Sequence, residues 1–114
     1  MEVLNHHIYE YKKGLRNLVL HTMQSHDVKL AEEKLFRQGI AFFIQEVTSR
    51  KVNIFFGKEQ CIKIIQSFHK ESLSQFTPEE DFILGIMLGY DRMQQCERYL
   101  SNVRTCFKLC PDTF

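Results

Sequence analysis

Ile40-Ala41-Phe42-Phe43-Ile44-Gln45-Glu46-Val47 and, after four polar residues, Val52-Asn53-Ile54-Phe55-Phe56 are the stretches that decide the fold. β-Branched and aromatic side chains suit a pleated surface, and Thr48-Ser49-Arg50-Lys51 between them reads as the polar, basic tip of a hairpin. With a period of two, Ile40, Phe42 and Ile44 face one way, and Ala41, Phe43 and Val47 the other. In the second run Val52, Ile54 and Phe56 oppose Asn53 and Phe55. Both faces of the predicted sheet are therefore apolar. A small antiparallel sheet with helices on one side should be polar on the other, so something must cover that side. Either the C-terminal helices wrap round the sheet or a second copy stacks on it, with Phe42, Phe43, Phe55 and Phe56 as the expected dimer interface.

Upstream, Ser25 or Asp27 is placed to cap a helix through KLAEEKLFRQ, with Val28, Ala31 and Leu35 on one face and Gly39 beyond its end. Before it, Leu15 to Met23 carries Leu18-Val19-Leu20 and no Gly or Pro, a strand apolar on both faces. Leu4, His7, Ile8 and Tyr11 recur at helical spacing and predict a first helix ending near Gly14. Downstream of Gly57, KEQCIKIIQSFHK places Cys61, Ile64, Ile65 and Phe68 on one stripe. Thr77-Pro78-Glu79-Glu80 combines a threonine N-cap, proline at the first helical position and a glutamate three residues after the cap. A helix from Pro78 to near Asn102 follows, which Gly85 or Gly89 can split.

The predicted fold class is α+β, with a split strand-helix-strand unit, a helical C-terminus and helices on one face of the sheet. A right-handed crossover puts the third strand between the first two, giving an antiparallel sheet of order 1-3-2. Residues 1–114 read as one domain, with 44% hydrophobic and 25% charged side chains and no repeat or linker. Fifteen Lys and Arg against fourteen Asp and Glu leave a charge of +1, too little to collect nucleic acid. Lys12, Lys13, Arg16, Arg50 and Lys51 read as a solvated face. The longest apolar run, Phe82 to Tyr90, is about half of the ~20 residues that cross a bilayer, so no membrane role is expected. The N-terminus lacks a secretory pattern, which makes the cytoplasm the expected location, with Cys61, Cys96, Cys106 and Cys110 reduced.

No Cys-x-x-Cys, His-x-x-x-His, nucleophile elbow, phosphate loop or dinucleotide fingerprint occurs. No cofactor and no catalytic residue is therefore assigned, and an enzyme is disfavoured. A metal would fall to Cys106 and Cys110, one helical turn apart before Pro111, or to His7 and His21, for which no spacing argument exists. A proton-transfer role for either histidine needs a carboxylate partner, with Glu10 or Glu46 the nearest candidates. Gly85-x-x-x-Gly89 reads as a close helix contact or a helix break.

The pattern EVLNHHIYEYKKGLRNLVLHT (2–22), FFIQEV (42–47), NIFFG (53–57) and TPEEDFILGIMLGYDRMQQCERYL (77–100) resembles, over nearly the whole chain, a small bacterial family known as a domain of unknown function. The resemblance implies three strands, about five helices and a homodimer, brings no catalytic residues, and suggests a flavodoxin-like redox carrier as a partner. The function expected is a non-enzymatic homodimeric protein-interaction or ligand-binding module. The alternative is a redox- or metal-linked accessory protein.

Overall fold

The computed structural model describes residues 1–103 of the chain. Helix α1 (Glu2–Lys12) leads to strand β1 (Leu18–Gln24), and a 3-10 turn over Ser25–Asp27 opens helix α2 (Val28–Arg37). Strands β2 (Ala41–Glu46) and β3 (Lys51–Gly57) form the hairpin, followed by α3 (Glu59–Ser67), a 3-10 turn over Leu73–Gln75, α4 (Pro78–Met87) and α5 (Arg92–Asn102). The sheet is antiparallel with order β1-β3-β2. The expected α+β class, strand order and helical C-terminus are thus present.

One expectation is overturned: the helices do not lie on one face of the sheet. Val19, Met23, Val52, Ile54 and Phe56 pack with Leu4 and Ile8 of α1 and Ala31 and Leu35 of α2. On the opposite face, Leu18 and Phe55 pack with Ile62 and Ile65 of α3 and Leu84 and Leu88 at the end of α4. Both greasy sides of β3 are covered within a single chain. The chain reaches the second face by a tight turn at Gly57, where φ is +149° and a β-carbon would collide with the Asn17 carbonyl. The Lys58 N–H donates to that same carbonyl at 2.8 Å, pinning the start of α3 to the start of β1.

Local signals hold with small shifts. Thr77 Oγ1 accepts from the Glu80 N–H at 3.1 Å while Glu80 Oε1 accepts from the Thr77 N–H at 2.9 Å, the reciprocal capping box that the sequence predicts. Gly89, not Gly85, splits the C-terminal helix, taking a left-handed φ of +83° after α4. Neither Ser25 nor Asp27 caps α2 through its side chain, because the chain enters that helix already wound in a 3-10 turn. On α3 the buried pair is Ile62 and Ile65, whereas Ile64 points outward.

Candidate functional site

Two of the histidines singled out in the sequence meet in space. His7 on the second turn of α1 and His21 in β1 place their rings 5.3 Å apart, centre to centre, inclined by 60°. His21 stands opposite Ile54 in the ladder, so its side chain lies on the sheet face that α1 covers. Of the two carboxylates considered, Glu10 joins them: its Oε1 lies 3.5 Å from His7 Nδ1. Glu46 ends β2, on the far edge of the sheet, and takes no part.

Arg16, read from the sequence as part of a solvated basic face, completes the cluster. Its guanidinium donates to His7 Nδ1 at 3.3 Å and lies 3.7 Å from Glu10 Oε1. Since an arginine can only donate, His7 Nδ1 is the acceptor and its proton sits on Nε2. Burial, the neighbouring His7 and the chain's amino group together push the His21 pKa below the usual histidine value, so its ring is neutral near pH 7. His7, Glu10 and Arg16 are all roughly a quarter exposed. Beyond them Glu10 and Arg16 border a cavity of about 490 Å³ shared with Asn17, Met87 and Tyr90.

The phenylalanines expected at a dimer interface are divided by the structure. Phe55 and Phe56 are 0% exposed within one chain. The reason is the two-sided helical cover: β3 is the central strand, and its two faces are the floors of the two cores. Phe42 and Phe43 are half-buried on β2, an edge strand that pairs only with β3 among the described residues. Phe36 of α2, the helix that packs against β2, is 80% exposed. Lys34 and Gln38 of α2 hydrogen-bond to Asn5 and Lys12 of α1, at 2.9 and 2.7 Å. Phe36 lies two residues, about 200° of helix, from each, so its ring points away from α1.

Cys61 and Cys96 are free thiols on α3 and α5. Burial pushes the Cys61 pKa up, opposing thiolate formation. Cys106 and Cys110 lie outside the described residues. Among the described residues no group of three or more His, Cys, Asp or Glu gathers so as to enclose a metal ion.

Sequence reasoning missed a polar row across the sheet. Thr22, Asn53 and Gln45 are aligned by the strand register on the face covered by α3 and α4. Thr22 Oγ1 donates to Asn53 Oδ1 at 2.6 Å, and Gln45 Nε2 donates to the Lys70 carbonyl in the α3–α4 connection at 3.2 Å. Gln45 is 4% exposed and its Oε1 is buried with no hydrogen-bond partner. One polar side chain per strand at matching register was the available signal. Likewise missed is the apolar groove of about 420 Å³ between α4 and α5, lined by Phe82, Ile83, Cys96, Tyr99 and Leu100 with Glu79 at its border.

A sheet of three strands between two helical layers defines a small α+β domain. The model of a protein family of unknown function, DUF2023, matches residues 2–102, and the chain belongs to that family. No curated protein matches the chain.

Proposed function

We propose that the chain is a non-enzymatic binding module that works as a homodimer, joined along the open edge of β2. The observation that carries this reading is the edge strand β2, whose Phe42, Phe43 and Ile44 are only half-buried, together with the 80% exposed Phe36 on α2, the helix that packs against it. An unpaired, apolar edge is a template for another strand. Two copies related by a two-fold axis through the middle of β2 extend the sheet to six strands. The same axis sets α2 beside its counterpart, so that the two Phe36 rings fill the space between them. This differs from the stacking of sheet faces that the sequence suggested, because those faces are occupied by the chain's own helices.

A net charge of +1 supports a protein partner over nucleic acid. No helix among the described residues is long and apolar enough to cross a membrane. We place the module in the cytoplasm, where Cys61 and Cys96 stay reduced. Nothing among the described residues favours the redox-linked alternative, since Cys61 and Cys96 lie on different helices.

Sedimentation equilibrium of the full chain tests the reading. A dimer at micromolar concentration that Phe36→Glu converts to a folded monomer is expected, with the outward amides of β2 protected from exchange only in the dimer. A wild-type chain that stays monomeric under these conditions overturns it.

A further inference from the structure

We propose that His7 and His21 form an open two-imidazole site for a late first-row divalent cation of the zinc class, and that binding there fastens α1 to β1. The spacing carries the argument. With metal–nitrogen bonds of about 2.0–2.1 Å in a tetrahedral arrangement, two imidazole ring centres stand about 5 Å apart. The rings of His7 and His21 are 5.3 Å apart without any ligand between them. They come from different elements, one helix and one strand, so a cation held by both bridges α1 and the sheet.

The surroundings fit coordination at His7 Nε2. In the metal-free chain Arg16 donates to His7 Nδ1 and the proton sits on Nε2. Coordination at Nε2 moves that proton to Nδ1, where Glu10 Oε1 lies 3.5 Å away and accepts it as a hydrogen bond. A ligating imidazole whose other nitrogen donates to a carboxylate is the usual arrangement in metal sites, which makes Glu10 a positioning residue. Arg16 then loses its acceptor on His7 and keeps Glu10, 3.7 Å away. A neutral imidazole has a nitrogen lone pair to give, and His21 supplies the second ring of the pair.

The opposing charges are Arg16 and the chain's amino group, and Glu10 is the offsetting one. His6, exposed on α1, lies 3.7 Å from the same Glu10 carboxylate and competes for it when protonated. With two protein ligands the remaining coordination positions go to water, so the site is exchangeable.

Cobalt(II) is the probe, because its spectrum separates nitrogen from sulfur ligands. Titration of the full chain at about pH 7.5, where histidine is neutral, should give one saturable site without a sulfur-to-cobalt charge-transfer band. Affinity should fall at least about tenfold in His7→Gln, His21→Gln and Glu10→Gln, and stay unchanged in His26→Gln. Should a variant fail to fold, the ring resonances of His7 and His21 in the wild-type chain decide the matter: saturation with zinc(II) must shift both. Binding that survives His21→Gln, a thiolate band, shifts confined to other histidines, or no saturable binding each overturns the site.

Discussion

The side-chain amide of Gln95 on α5 lies directly against the bare Cα of Gly85 on α4, in the space that a β-carbon would occupy. Gln95 is the one buried residue of α5, at 9% exposure, and the helix is otherwise clipped to α4 by surface contacts. Arg98 reaches Asp81 with two donors at 2.6 and 3.1 Å, and the Tyr99 hydroxyl donates to Glu79 at 2.9 Å. Gly85→Ala pushes the end of Gln95 out of its seat, which cancels the helix-propensity gain of about 1 kcal/mol. In a Gln95→Ala background the same substitution should raise stability by about 1 kcal/mol. A double-mutant cycle by urea unfolding measures the coupling.

Because α5 buries so little, its amides should exchange faster than those of Ile54 to Phe56 in β3, whose side chains are fully buried. Native-state hydrogen exchange reads this directly. Equal protection in the two elements would mean that α5 is held by more than the contacts to α4.

Loss of the capping box has a defined cost. Thr77→Ala removes the acceptor for the Glu80 N–H and should lower stability by about 1 kcal/mol. The Thr77 N–H that Glu80 accepts, helped by Lys70 at 3.5 Å, holds the Glu80 carboxyl below its usual range. A depressed carboxylate contributes stability above its unfolded value and loses it as pH falls through the folded one. Glu80→Gln should therefore flatten the acid limb of the stability curve below about pH 4.5.

For His21 the sign is set by the neutral form. Its pKa is lowered by burial, by His7 and by the chain's amino group, with Arg16 adding positive charge beside His7 and Glu10 offsetting it. Below about pH 6.5 the unfolded chain binds a proton that the folded chain resists, so stability is lost as the pH falls through that window. Thermal melts between about pH 5 and 8 should show this slope, and His21→Gln should reduce it. An unchanged slope would place the titration elsewhere.

The two classes of phenylalanine should separate cleanly. Phe55 is fully buried and stacked on Phe43 at 6.1 Å, so Phe55→Ala should cost about 3–5 kcal/mol. Phe36→Ala changes a lone chain by about 0.5 kcal/mol or less, and any larger loss that grows with protein concentration reports the dimer.

Much of the fold is written in local chemistry. The hairpin from Ile40 to Phe56, the cap at Thr77 and the 1-3-2 strand order follow from side-chain shape, hydrogen-bonding ends and the handedness of a crossover. What is not written locally is the side to which a helix returns. The stripe Ile62–Ile65 marks α3 as amphipathic, yet only the turn at Gly57, tight against Asn17, sends it to the second face. The same holds for the site. His7 and His21 are fourteen positions apart and meet because α1 folds back on β1, a contact that no spacing rule contains. Phe36 falls outside the Val28, Ala31 and Leu35 face read from the sequence, and it is 80% exposed.

The row Thr22–Asn53–Gln45 acts as a key for strand alignment. Sliding β2 by one position along β3 would turn the Gln45 amide toward the oily layer beneath α1 and α2, and take it from the Lys70 carbonyl. A sheet with grease on both sides has little else to forbid such slippage, so three modest polar groups guard the chain against shuffling into wrong registers.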